Sequence, residues 1–517
     1  MDLTVYMPDW MLTHGPAFLI ALPLLVAALT AILPFRKLAW WTTSLVTLIL
    51  LLTAVALAQF ELANGAKIYE MGGWAPPHGI SLSIDALSAP ILVLIAAMAF
   101  ITMIYAMPAT LAEIEPKKRA PYYAAFLLCM AGLLGMVVTG DAFNVFVFLE
   151  VSSISSYVLV ALGASRDRRA LVAAYNYLIL GSIGATFFVI GLGFLYMETG
   201  TLNMADMARI LTELDGGSRV AMVAFGFIIV GLGLKLAMFP IHNWLPGAYA
   251  YAPTQVTSFL ASTSTKAALY LLMRFTFFVF NPDFVYVDAV LMFLIFGLGI
   301  IGMMFASIQA IFQTDVRRLL AYSSVGQVGY MLLGIGIATT AGLSAAYLHI
   351  INHAVIKGGL FLALGAMWYR FGITRVDDFR GLSRTMPWTM GAFTVSGFSL
   401  IGVPFTAGFV SKVALASAAA AEGYWWAVGF IMISSILAII YIGRILMVAY
   451  FRDPPVIDGK PCVKNEAPLM MLLPMWALAF LSIAIGMNIF GASDIVVGAS
   501  ERAAALLTGA LPVAIGG

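Results

Sequence analysis

The sequence predicts an all-α polytopic membrane protein of about fourteen transmembrane helices, on three observations. Of its 517 residues, 62% are hydrophobic and only 10% are charged, whereas soluble domains carry about 25% charged residues. Apolar runs of roughly 20 residues, the length that crosses a bilayer, recur along the whole chain. Basic residues are confined to alternate connections, the asymmetry expected of inserted helices.

Taken in order, the apolar runs fall near 16–34, 38–60, 83–107, 121–139, 141–164, 171–198, 220–250, 253–280, 285–310, 318–338, 343–369, 388–420, 424–450 and 467–492. The odd-numbered connections hold 17 Lys and Arg: Arg36, Lys37, Lys117, Lys118, Arg119, Arg166, Arg168, Arg169, Arg317, Arg318, Arg370, Arg375, Arg380, Arg384, Arg452, Lys460 and Lys464. The even-numbered ones hold Lys67, Arg209 and Arg219. Such a bias predicts a multi-pass protein of the cell (plasma or inner) membrane, with cytoplasmic odd connections and both termini outside. The polar stretches around "ELANGAKIYEMGGWAPPHGISLS" and "FRDPPVIDGKPCVKNEAP" are loop-sized, so 1–517 reads as one membrane domain.

Several functions are disfavoured by what the sequence lacks. Cys129 and Cys462 form no CxxC and no pair at metal-ligand spacing, so neither an iron–sulfur nor a zinc site is expected. There is no GxGxxG after a strand pattern and no GxxxxGK[ST] loop. No cofactor, metal or nucleic-acid partner is therefore expected, nor a catalytic centre within the chain. The N-terminus carries acids where a cleaved signal would carry basic residues, so it does not read as one.

The informative residues are those that do not suit lipid. Arg274 and Arg444 lie toward helix ends, where snorkelling to the interface accounts for them. Lys235, Lys266, Lys357 and Lys412 lie inside apolar spans, and Glu150 joins them in "DAFNVFVFLEVSSISSYVLV" after Asp141. Ionisable groups at membrane depth face the bundle interior and mark ion pathways. Guanidinium stays protonated in any surroundings, whereas a lysine ammonium held away from water can give up its proton. A carboxylate nearby, such as Glu150, would tune that exchange; a static salt bridge between Glu150 and one lysine is the structural alternative.

The lysine-bearing helices are also irregular. Pro240, His242 and Pro246 follow Lys235, and Gly402, Pro404 and Gly408 precede Lys412. Broken helices at membrane depth line cavities and ion sites. The breaks fall in the seventh and twelfth spans, five helices apart. An odd offset implies opposite orientation, which predicts two inverted-topology repeats, 121–280 (helices four to eight) and 285–450 (helices nine to thirteen). In the eleventh span His349, His353 and Lys357 are spaced i, i+4, i+8 on one face over roughly 12 Å. Such a stripe reads as a proton relay, with His242 a further candidate; no carboxylate or cysteine lies near enough in sequence to complete a metal site.

With these residues assembled, the chain resembles the antiporter-like subunits shared by Mrp-type cation/proton antiporters, respiratory complex I and membrane-bound hydrogenases. The resemblance runs through "FNVFVFLEVSSISSY", "LKLAMFPIHNWLPGAYAYAP", "STSTKAALYLLMRF", "TDVRRLLAYSSVGQVGYMLLGIG", "HIINHAVIKGGLFLALG" and "GVPFTAGFVSK". It implies that Glu150, Lys235, Lys266 and Lys412 carry proton translocation, with His349 and His353 between them along a hydrated axis. It also implies partner membrane subunits, H⁺ and a cation such as Na⁺. Size and the lysine at 412 are nearest the D-type member of Mrp antiporters. The alternative is a proton-pumping subunit of a complex I-type NADH–quinone oxidoreductase or a membrane-bound hydrogenase.

Overall fold

The structure is a computed structural model that describes residues 3–32, 36–215, 217–454, 456–457, 460–461 and 465–511. Cys462 and Lys464 lie outside the described residues. Among these, 12 helices are long and apolar enough to cross a membrane: Asp9–Ile32, Leu38–Asn64, Ser88–Glu113, Pro116–Val138, Ala142–Ser165, Arg169–Thr199, Arg219–Leu236, Val285–Phe312, Val316–Gly336, Thr340–Phe371, Trp425–Phe451 and Leu469–Met487. Those 12 and two further spans make fourteen, matching the sequence in number and order. The two further spans explain themselves physically. Thr254–Met273, continued by a π-helical turn Arg274–Val279, is rich in Ser and Thr. It tolerates that polarity because every residue of Thr254–Met273 is buried in the bundle, and its hydroxyls bond back to carbonyls one turn earlier, as Ser262 does to Ser258 (2.8 Å) and Thr263 to Phe259 (2.7 Å). The other is split into Pro387–Ile401 and Ala407–Ala421.

The seventh span is split as well, into Arg219–Leu236 and Trp244–Tyr251. Ala237 ends the first piece in the left-handed region (φ 61°), and Pro240 brings no N–H with which to continue a helix. In the twelfth span Gly402 does the same at φ +91°, a conformation open to glycine and strained for other residues. A Cβ there would also lie 2.9 Å from Cδ of Lys412.

The eleventh span, Thr340–Phe371, is the central pillar. It packs against the third, eighth, tenth, twelfth and fourteenth spans, and its 32 residues amount to about 48 Å of helix. The eighth span approaches it at Gly358, where a Cβ would stand 3.0 Å from Ser262 Oγ. Two regions read as loop or tail carry structure. Lys67–Glu70 and Ser81–Ile84 form an antiparallel hairpin, and Ala492–Leu507 is a helix. That helix packs on the eleventh span and is pinned by Arg502 to Glu61 of the second span at 2.7 Å.

Two arginines are not where sequence position placed them. Arg274 does not snorkel. It is 3% exposed and pairs with Asp85 at 2.7 Å, while Tyr270 Oη accepts from its Nη2 at 3.0 Å. Arg317, counted among the connections, is 2% exposed inside the tenth span. Pairing across the bundle, which accounts for Arg274, is invisible to a count of charges along the chain, and so is the tertiary packing that buries Arg317.

Breaking a buried ion pair from one side strands the other charge and costs about 3–5 kcal/mol. Asp85→Ala is therefore expected to lower the thermal unfolding midpoint of the detergent-solubilised protein markedly. Arg384→Ala, which removes an exposed pair with Asp453, is expected to leave it unchanged.

Candidate functional site

At the seventh-span break, the chain must satisfy carbonyls that the helix no longer uses. Trp244, the first residue of the second piece, donates its indole Nε1 to Leu234 O at 2.8 Å. Its ring lies parallel on Tyr177 of the sixth span, with centroids 4.1 Å apart and planes at 2°. The Lys235 ammonium sits 5.8 Å from the centroid of the same Tyr177 ring. With the carbonyl served by Trp244, Lys235 turns to the fifth span, where it donates to Ser153 Oγ. Glu150 is one helical turn away on that span and is Lys235's electrostatic neighbour, yet the two form no ion pair. Glu150 Oε1 is buried without a hydrogen-bond partner, although the residue as a whole is half-buried.

The centre of the bundle joins the eighth and eleventh spans. Lys266 is fully buried and donates to Ala261 O and, at 3.2 Å, to Thr265 Oγ1. His349 and His353 stand one turn apart with rings nearly parallel, centroids 6.1 Å and planes 10°. His349 Nε2 lies 2.9 Å from Gln327 Oε1. Its Nδ1 is hydrogen-bonded with Ser411 Oγ at 2.9 Å. Neither ring nitrogen of His353 has a partner. Lys266 is within electrostatic reach of both histidines, and Lys412 of His349. Lys357 completes the stripe, donating to Leu320 O at 2.7 Å and to Ser323 Oγ.

At the twelfth-span break the roles change. The freed carbonyls of Leu400 and Ile401 accept from the Lys412 ammonium itself, at 3.0 and 2.9 Å, and Ser435 Oγ of the thirteenth span accepts at 3.1 Å. Tyr330 presents its ring face 4.9 Å from the same nitrogen and also stands 5.6 Å from His349. Tyr330 thus bridges the histidine stack and the last lysine.

The structure therefore brings Lys266, His353, His349 and Lys412 into one interior series, with Lys357 beside it. Lys235 and Glu150 are neighbours without contact. His242 is separate. It is buried in the seventh-span break among the rings of Phe239, Phe305 and Tyr322, and its Nδ1 has no partner. None of the four lysines takes part in an ion pair among the described residues. The static salt bridge weighed from sequence is absent from this structure, and each ammonium is held by hydroxyl and carbonyl oxygens. Sequence reasoning seeks counter-charges and passes over these acceptors. The signal is present in the serine pairs Ser152–Ser153, Ser323–Ser324 and Ser434–Ser435, at membrane depth.

Comparison with known proteins places this geometry in a family. The profile described as NADH:quinone oxidoreductase/Mrp antiporter, TM, matches residues 139–438, which include every lysine of the series. The chain is 40% identical over 491 residues to the N subunit of the NADH-quinone oxidoreductase of Desulforudis audaxviator, covering 92% of this chain and 96% of that one. It is 30% identical over 432 residues to the D-type member of the Na(+)/H(+) antiporter of Alkalihalophilus pseudofirmus, covering 84% and 86%. Among solved structures, a chain of the Mrp complex from Dietzia superposes with a TM-score of 0.87 at 26% identity, covering 96% of this chain and 98% of that one. A chain of the membrane-bound sulfane sulfur reductase, an archaeal respiratory membrane complex, superposes at 0.86 with 31% identity, covering 96% and 99%. The chain belongs to the NADH:quinone oxidoreductase/Mrp antiporter transmembrane family.

The division of labour at the two breaks has a direct test. Trp244→Phe keeps the ring on Tyr177 and removes the indole donor, leaving Leu234 O with only the longer bond from Ala237 N–H (3.3 Å), a loss of about 0.5–1.5 kcal/mol. The expected result is a lower unfolding midpoint in detergent. A cryo-EM map of the variant is expected to show the Lys235 side chain withdrawn from Ser153 toward Leu234 O.

Proposed function

We propose that this member of the NADH:quinone oxidoreductase/Mrp antiporter family is a proton-translocating, antiporter-like subunit of a redox-driven membrane complex of the complex I type. The observation that carries the translocation is the set of buried lysines held by hydroxyl and carbonyl oxygens alone. Such a lysine can exchange a proton without breaking an ion pair. The histidine stack joins Lys266 to Lys412 with ring nitrogens that both donate and accept. In this reading Glu150, Lys235, Lys266 and Lys412 carry the proton, and His349, His353 and Lys357 relay it. His242, walled by aromatic rings, has the weakest support of the relay set.

The redox-driven assembly draws support from identity: 40% to an NADH-quinone oxidoreductase chain against 30% to a D-type antiporter chain. It draws more from the 31% match to a respiratory sulfane sulfur reductase. These favour the redox alternative over the Mrp D-type reading that size and Lys412 suggested. A cation/proton antiporter remains the second reading, on the 0.87 superposition with a chain of an Mrp complex; Na⁺ would then be the co-substrate. In either assembly the chain works with other membrane subunits. Residues 121–280 and 285–450 are proposed as inverted repeats on their matching breaks after Leu236 and Ile401. The basic odd-numbered connections support cytoplasmic placement of that face and external termini.

The two assemblies separate in everted membrane vesicles carrying the whole complex, with a pH-sensitive dye as readout. Acidification on addition of an electron donor, lost in Lys235→Ala with donor oxidation retained, is the expected result. Acidification that ignores the donor, coupled to dye recovery on adding Na⁺, would replace the redox reading with the antiporter.

A further inference from the structure

Three arginines are buried or nearly so at the ends of the spans, and they are satisfied unequally. Arg274 is paired with Asp85. Arg166 donates to Glu113 Oε2 at 2.7 Å and to Ala252 O at 3.1 Å. Arg317 is 2% exposed, and its Nε and Nη2 have no partner among the described residues. Its one hydrogen bond is from Nη1 to Ala250 O at 3.5 Å. A guanidinium whose purpose is packing is normally satisfied by carboxylate or carbonyl oxygens, as the other two are.

Arg317 lines a narrow void with Thr254, Thr257, Phe361 and Leu364. On one side this void abuts a polar mouth. Thr254 donates from its backbone N (3.0 Å) and its hydroxyl to Glu113, the last residue of the third span, and Glu113 holds Arg166. The guanidiniums of Arg166 and Arg317 lie 4.7 and 5.7 Å from the ring centroid of one residue, Trp368. On the other side the void ends at Phe361, whose ring centroid is 6.0 Å from the Lys357 ammonium. The helices agree on the spacing. From Arg317 to Ser323 on the tenth span, and from Leu364 to Lys357 on the eleventh, the rise is about 9–10 Å. The two partners of Lys357, Leu320 O and Ser323 Oγ, are thus one to two turns deeper than Arg317 on its own helix.

We propose that this void is a proton passage from the Glu113–Arg166 mouth to Lys357, and that Arg317 is its electrostatic gate. The inference rests on the reading of the buried lysines as proton carriers. In the present conformation the passage is closed, being too tight for water. Widening it admits water, and that water supplies acceptors to the two unpartnered N–H groups of Arg317, so opening and hydration favour one another. A proton then crosses by hopping along hydrogen-bonded water to the Lys357 amine; one N–H bond forms there and no group is oxidised. The fixed positive charge of Arg317 opposes metal cations and uncoupled proton flow through the same throat. Thr257, whose hydroxyl bonds back to Tyr249 O and Pro253 O at 3.1 and 3.3 Å, lines the void beside the apolar Phe361 and Leu364.

The test uses the intact complex in proteoliposomes with an internal pH dye, without electron donor, under an imposed pH gradient. Arg317→Gln, which keeps hydrogen-bond donors and removes the charge, is expected to speed passive collapse of the gradient by about tenfold. Arg317→Lys, which keeps the charge, is expected to stay as tight as the native complex. Thr257→Val is expected to leave the leak unchanged and to slow donor-driven pumping severalfold. A native leak in assembled Arg317→Gln, or an equal leak in Arg317→Lys, would overturn the gate and reduce Arg317 to packing. Should Arg317→Gln fail to assemble, Leu364→Ser decides instead, because it wets the same void and leaves the charge in place. An increased leak supports the passage, and a sealed membrane refutes it. The underlying reading fails separately: normal pumping by Lys235→Ala removes the lysine series, whereas the passive leak of Arg317→Gln speaks only to the passage.

Discussion

The constraint on which the rest depends is that a backbone carbonyl released inside a bilayer must find a donor within the protein. Two helices of this bundle are broken at membrane depth; the first break leaves Leu234 O with a single long backbone bond from Ala237 N–H (3.3 Å), and the second frees the carbonyls of Leu400 and Ile401. The two solutions differ. Trp244 serves the first and frees Lys235 to reach Ser153 and the neighbourhood of Glu150. Lys412 serves the second with its own ammonium. Only at the second break is the lysine tied directly to the backbone; at the first its ammonium is free of that task. The positions of the histidine stack, Tyr330 and Lys266 follow from a central eleventh span that packs on the eighth, tenth and broken twelfth spans.

Much of this was legible in the sequence. Fourteen spans, their order and the two interruptions follow from apolar length and from Pro and Gly placed beside lysine. The single-face spacing of His349, His353 and Lys357 becomes an actual ring stack because Thr340–Phe371 is one uninterrupted helix. What sequence could not supply was partnership across the bundle. Asp85 and Arg274 are 189 residues apart, and neither stands out along the chain. The same holds for Glu61 with Arg502 and for Glu113 with Arg166, three buried acids that a search for charges at membrane depth leaves out. The hydroxyl acceptors escape notice for a related reason: a serine in an apolar helix is cheap, since it bonds its own backbone, and so raises no alarm in a hydropathy profile.

The chemistry that emerges is one of solvation without neutralisation. Each buried ammonium has oxygen ligands, and none has a carboxylate in contact. This arrangement suits a carrier better than a scaffold, because a contact ion pair would hold the proton in place. Glu150, with one carboxylate oxygen unpartnered and the residue half-buried, is where the isolated chain is least self-sufficient.

The most direct test of the central idea, that these lysines change their proton count, is to replace one with a side chain that cannot. Lys412→Arg retains a permanent charge and hydrogen-bond donors for Leu400 and Ile401. The measurement is the number of protons moved per electron donor oxidised by the assembled complex. The account expects that ratio to fall to the level of Lys412→Ala. A native ratio with a guanidinium at 412 would show that a fixed positive charge suffices there, and would contradict it.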